Sequence, residues 1–161
     1  MKKKTKIIGL SVAVLVFGAW ISGIGITKKG VSGGVENVSA KTATVYKSPS
    51  CGCCANYVSY LRRNGFEVEM IETDDMDTIK NEHNIPGNME SCHTTIINDG
   101  YVVEGHIPVK AVNKLLEEKP SVNGIAMPGM PVGSPGMPGS KKGLFTIYQM
   151  DDGGTSEFMQ L

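Results

Sequence analysis

At 161 residues, with 40% hydrophobic and 20% charged residues, the chain has enough apolar mass for one modest core and not for two. Sixteen basic residues balance sixteen acidic ones, but six lysines (Lys2, Lys3, Lys4, Lys6, Lys28 and Lys29) fall in residues 1–29, which hold no acid, so the remainder carries a net charge of −6. An acidic body argues against nucleic acid as a partner, because neutralising phosphates needs a basic face, and it is compatible with a cationic ligand.

The chain opens on a targeting segment. Lys2 to Lys6 form a positive stretch, and Ile7 to Ile26 is apolar or small throughout, without a charge. A secretory apolar region runs to about 7–15 residues and a spanning helix needs roughly 20, so residues 1–29 read as a signal peptide or as an N-terminal membrane anchor. The lysines before the run fit a cytoplasmic start, opposed by Lys28 and Lys29 beyond it. Val38-Ser39-Ala40 offers small residues to a signal peptidase, but far downstream of the apolar run. Either reading exports the body, which is expected to be periplasmic or at the cell surface. Residues 30–41 read as a Gly/Ser/Val linker and residues 42–161 as the folded domain.

Within that domain Ala43 to Tyr46 is predicted as a strand, ended by Ser48-Pro49-Ser50. From Cys53 a helix follows, because Cys54, Tyr57, Val58 and Leu61 recur at i, i+3, i+4 and i+7, with Asn64-Gly65 as its stop. Phe66 to Ile71 alternates as a strand does. Asp74 is predicted to cap a second helix through about His83, before the break at Pro86-Gly87. Thr94 to Asn98 and Tyr101 to Glu104 form two strands around the hairpin signal Asn98-Asp99-Gly100. Pro108 starts a third helix with Val109, Val112 and Leu116 on its apolar face. Met127 to Gly139 is a Met/Pro/Gly loop, and Leu144 to Met150 with Thr155 to Gln160 make a closing hairpin. The order β-α-β-α-β-β-α is that of a thioredoxin-like α/β domain, here with a C-terminal loop and β extension. That fold keeps its chemistry between the first strand and first helix, where this chain places a cysteine cluster.

Three of the four cysteines crowd into Cys51-Gly52-Cys53-Cys54, and the fourth is Cys92. A structural disulfide framework closes loops, and this spacing closes almost none. Adjacent Cys53 and Cys54 can hardly bridge each other without strain. The pair Cys51 and Cys54 forms a C-x-x-C frame at a helix start, where free N–H groups and the helix dipole favour the thiolate. A thiolate there serves disulfide exchange or soft-metal binding. A third sulfur, Cys53, is a liability for clean exchange and an asset for a metal. In a thioredoxin-like fold Cys92-His93 lies just before the third strand, against the active-site helix, so the four sulfurs converge. Thiolates select copper(I) over hard cations, and zinc is the rival, since four thiolates also make a closed structural zinc site.

Further ligands are sought among Met127, Met130 and Met137, whose loop holds too much Pro and Gly to be a packed helix stripe; the competing reading is gap-filling core. Of the histidines, His106 in Gly105-His106-Ile107-Pro108 ranks above His93, and His83 reads as surface. Imidazole binds copper in either oxidation state.

Together, Tyr46-Lys47-Ser48-Pro49-Ser50-Cys51-Gly52-Cys53-Cys54, Ser91-Cys92-His93-Thr94, Tyr101-Val102-Val103-Glu104-Gly105-His106-Ile107-Pro108 and Pro128 to Met137 resemble, in order, the CopG-like copper-resistance proteins of bacteria, catalogued as domain of unknown function four-eleven. The resemblance covers about Thr42 to Met137. It implies a thioredoxin-like fold binding copper through Cys51, Cys53, Cys54 and Cys92, as a multinuclear cluster with bridging sulfurs. His106 and Met130 are further candidates. It also implies an extracytoplasmic role in copper tolerance, beside other copper-export or copper-tolerance proteins, with copper(I) and copper(II) interconverted. Two other readings stay open: a thiol–disulfide oxidoreductase using Cys51 and Cys54, and a structural zinc module.

Overall fold

A computed structural model describes residues 40–98 and 100–161; the targeting segment read into residues 1–29, and linker residues 30–39, lie outside the described residues. The described part is a mixed α/β domain with three helices and a seven-stranded sheet. Its elements are β1 Lys41–Lys47, α1 Gly52–Arg63, β2 Phe66–Glu72, α2 Met76–Glu82, β3 His93–Ile97, β4 Tyr101–Glu104, α3 Val109–Glu118, β5 Gly124–Ala126, β6 Thr146–Asp151 and β7 Gly154–Gln160. The sheet runs β2-β1-β3-β4-β5-β6-β7, parallel at β1/β2 and β4/β5 and antiparallel elsewhere.

Successive strand residues point to opposite faces, and the two apolar clusters follow that alternation. Val103, Ile125 and Ile147 join Tyr57, Val58 and Leu61 of α1 and Val109, Val112 and Leu115 of α3 on one face. Val102, Ala126 and Met150 meet Ile85 and Met89 on the other. The apolar stripe expected of α1 is therefore its buried face, Cys54, Tyr57, Val58 and Leu61.

Three expectations shift. The cap of α2 is Asp75, not Asp74: its Oδ1 accepts from Thr78 N at 3.1 Å and its Oδ2 from Thr78 Oγ1 at 2.7 Å, and Asp74 has no threonine three residues on. On α3 the buried leucine is Leu115, while Leu116 packs only at the margin; both satisfy the helical spacing, and packing decides. Strand β5 was not expected at all. It forms because Gly124, with no Cβ, lets the backbone approach Val102, its register partner. In consequence Met127, read as part of the exposed loop, is 1% exposed and belongs to the core.

Candidate metal centre

Two elements bring the sulfurs together. Strand β1 ends at Lys47, whose buried ammonium donates to Ser48 O at 2.9 Å and to Glu72 Oε1 at 2.7 Å. Cys51 N then donates back to Ser48 O at 3.0 Å. This tight turn delivers Cys51 as the N-cap of α1, with no side-chain cap bond, so the cysteines sit at a helix start whose first N–H groups have no intrahelical acceptor. The second arm is the segment entering β3, which pairs with β1 through Lys47 and His93. Register therefore sets Cys92 beside the start of α1.

Cys51 and Cys54 are joined as a disulfide, and Cys53 and Cys92 are free thiols. Cys53 Sγ lies 3.5 Å from Cys51 Sγ, and Cys54 Sγ lies 3.5 Å from Cys92 Sγ. The sulfurs of Cys51, Cys53, Cys54 and Cys92 fall within 4.8 Å of one another. A second, overlapping group on the same scale is Cys54, Cys92, His93 and His106, so Cys54 and Cys92 belong to both.

His106 is oriented as a ligand histidine is. Its Nδ1 donates to Pro135 O at 2.6 Å, which leaves the Nε2 lone pair facing Cys92 Sγ at 3.1 Å. Such a hydrogen bond to a carbonyl fixes the tautomer and raises the basicity of the other nitrogen. His93 Nδ1 stands 3.4 Å from the same sulfur, and its buried Nε2 has no partner among the described residues. Both rings pack on Tyr57, at 4.7 Å and 5.5 Å between centroids. The Tyr57 hydroxyl donates to Ile107 O at 2.9 Å, and burial pushes its pKa up. The Met/Pro/Gly loop closes over this group. A Cβ on Gly136 would stand 2.8 Å from Tyr57 N and 2.9 Å from Cys53 O, so only glycine lets the loop lie so close to α1. On that loop Met130 is 40% exposed with a left-handed backbone, and Met137 is half-buried.

Burial pushes the Cys92 thiol up to about 12, with the adjacent Cys53 adding to it. A soft cation bound there must displace that proton, because the ligand is the thiolate. Burial also holds both imidazoles below their usual range, His93 furthest, where His106 and Lys80 add to the effect. At these two imidazoles the unfolded chain binds more protons than the fold, so their contribution to stability is complete above about pH 6.5 and is lost as pH falls below it; the Glu104 carboxyl, raised by burial, works in the opposite sense. The fall in thermal midpoint of metal-free protein from about pH 7.5 to about pH 5 is expected to be larger in wild type than in His93→Gln combined with His106→Gln.

The donor set suits a soft metal: up to four sulfurs backed by two neutral imidazoles, one with an orphaned buried nitrogen. Of the candidates that sequence spacing singles out, the fold gathers Cys51, Cys53, Cys54, Cys92 and His106, and it sets His93 beside the same sulfur as His106. Sequence spacing offers no signal for Pro135 O, since a backbone carbonyl is independent of residue type.

The family described as "Protein of unknown function, DUF411" matches residues 89–137, the stretch carrying Cys92, His93, His106 and the loop. No curated protein matches the chain. Two solved structures are similar to it over almost their whole length. "Copper resistance protein copG- Form 2" is 36% identical, covering 75% of this chain and 98% of its own, with a TM-score of 0.69. "Copper resistance protein copG- Form 1" is 37% identical, covering 74% of this chain and 96% of its own, with the same TM-score of 0.69.

Proposed function

We propose that this chain, which belongs to the CopG-like DUF411 family of copper-resistance proteins, binds copper(I) through the thiolates of Cys51, Cys53, Cys54 and Cys92. The observation that carries this reading is the convergence of four sulfurs within 4.8 Å, with His106 Nε2 at 3.1 Å from Cys92 Sγ. His106 and Met130 are assigned as accessory ligands. In the disulfide form two sulfurs are committed to each other, so the copper-binding state is the one reached when two electrons reduce Cys51–Cys54 to thiolates. Shared use of Cys54 and Cys92 by two donor groups suits bridging sulfurs and more than one ion. Imidazole beside thiolate suits passage between copper(I) and copper(II). The domain is read as thioredoxin-like, supported by the order β2-β1-β3-β4 with β1 and β2 parallel. Export by residues 1–29, cleaved or retained as an anchor, places this work outside the cytoplasm, in copper tolerance alongside other copper-handling proteins.

The test is anaerobic titration of the reduced protein with copper(I) under a competing chelator, with elemental analysis of protein purified without added metal. Tight uptake that is lost when the thiols are alkylated is the expected result. Zinc recovered in place of copper, with unfolding on chelation, would move the assignment to a structural zinc module.

The Cys51–Cys54 disulfide itself favours a second reading, a thiol–disulfide oxidoreductase. Its mark is insulin reduction that survives Cys53→Ser and Cys92→Ser and is abolished by Cys51→Ser.

A further inference from the structure

Behind the metal centre, on the other face of the sheet, lies a buried ion pair. Glu104 ends β4 with 0% exposure, and Lys80 of α2 is 5% exposed. By strand alternation Thr94 and Glu104, which are register partners, face α2 with Ile96 and Val102, while Val103 and the His93 ring face α1 and α3. The Glu104 carboxylate pairs with Lys80 Nζ through Oε1. The same Oε1 accepts from Ser91 N at 2.6 Å, and Oε2 accepts from Thr94 Oγ1 at 2.7 Å. Lys80 Nζ also donates to Thr94 Oγ1 at 3.4 Å.

Ser91 immediately precedes Cys92, and Thr94 immediately follows His93. One carboxylate thus grips the chain on both sides of two candidate ligands. It is also two residues before His106, so it ties the strand that carries His106 to the segment that carries Cys92. A buried ion pair is weak ground for stability alone, because an apolar pair of similar volume often does as well. An apolar pair accepts no bond from Ser91 N, however, and that bond belongs to the ligand segment.

We propose that Glu104, held by Lys80 and Thr94, is a positioning residue for the metal centre: it fixes the Ser91–Thr94 segment so that Cys92 Sγ stays in reach of Cys54 Sγ and His106 Nε2. The role rests on the copper reading of the site. Groups that orient metal ligands from behind typically change affinity about 10- to 100-fold when removed.

Two uncharged double variants of the full chain separate positioning from bulk stability. Lys80→Gln with Glu104→Gln keeps a carbonyl oxygen to accept from Ser91 N. Lys80→Met with Glu104→Leu keeps the volume and loses the acceptor. The readouts are the thermal midpoint, copper(I) affinity against a chelator, and the near-ultraviolet thiolate-to-copper band. The Gln pair is expected to bind within about threefold of wild type, and the apolar pair at least about tenfold more weakly with a shifted band, a loss larger than any fall in its midpoint accounts for. Wild-type affinity and band in the apolar pair overturn the positioning role, as does a loss in both variants that merely follows their midpoints. If the apolar pair does not fold, Thr94→Val replaces it, with a loss of about tenfold expected and an affinity within about threefold of wild type overturning the role. Wild-type protein that takes up no copper(I) sinks the metal reading and this role with it; wild-type uptake matched by the apolar pair sinks this role alone.

Discussion

Replacing Cys53 by serine is expected to lower copper(I) affinity at least about 100-fold, or roughly 2.8 kcal/mol, while leaving the fold and the Cys51–Cys54 disulfide in place. Cys53 is half-buried in the first turn of α1 and takes no part in that disulfide. Serine is tolerated near a helix start, so the cost in stability is small. The cost to a soft metal is large, because a hydroxyl oxygen is a hard, protonated donor that does not stand in for a thiolate. Cys53 Sγ lies 3.5 Å from Cys51 Sγ, so its loss removes a neighbour from the shared donor group. The measurement is chelator competition on reduced wild-type and variant protein under anaerobic conditions, beside an insulin-reduction assay. Undiminished copper affinity in Cys53→Ser excludes Cys53 as a ligand. Intact exchange activity without tight copper uptake in either protein would turn the site over to the oxidoreductase reading.

Much of the frame could be read from periodicity, for reasons particular residues make plain. Cys54, Tyr57, Val58 and Leu61 are spaced as one face of a helix, and all four are buried. Asn98 and Gly100 both take positive φ, 44° and 105°, which is why their dipeptide neighbourhood signals a hairpin. Strand β5 left no such trace. Three residues are too short for a period, and what makes them a strand is the neighbour, β4, accepting a parallel partner where Gly124 permits close approach. For Met127 the core reading holds, and the sequence leaves it beside the ligand reading because a methionine at a strand end and one in a Met-Pro-Gly loop look alike until β5 is known.

The centre was legible to the extent that its chemistry is rare. Clustered thiols at a helix start have few uses, and the β3 register brings the distant Cys92 to them. His93 carries little signal in the sequence because a lone histidine is more often a hydrogen-bonding surface residue, whereas in the fold it is buried with its Nδ1 3.4 Å from Cys92 Sγ. Lys80 and Glu104 are 24 residues apart on different elements, so no local pattern announces that they meet. Nothing in the composition of the 127–139 loop says that the carbonyl of Pro135 will accept from His106. These are properties of packed elements, and they become visible only when strands and helices are set against one another.

Gly105→Ala is expected to be strongly damaging, and its strain falls on the segments that carry the candidate ligands. Gly105 has φ +84°, and its Cβ would stand 2.7 Å from Ser91 Oγ, 2.8 Å from Ser91 Cβ and 2.8 Å from Met127 O. A left-handed backbone costs an L-residue roughly 1–2 kcal/mol, and forcing a methyl into packed atoms adds about 1–3 kcal/mol. Retreat is blocked on both sides. Gly105 N donates to His93 O at 3.1 Å, and Met127 N donates to Glu104 O at 3.0 Å. The strain therefore falls on Ser91, next to Cys92, and on the segment that presents His106. Gly65→Ala is the matched control: φ is +86°, but nothing lies within 4 Å of its Cβ, so it bears the conformational cost alone. Chemical denaturation is expected to place Gly105→Ala about 1–3 kcal/mol below Gly65→Ala, with reduced copper(I) affinity in the first variant only. Equal stabilities for the two would mean that Ser91 and the Met127 carbonyl yield readily. Equal affinities would mean that Cys92 and His106 keep their positions when that contact is forced apart.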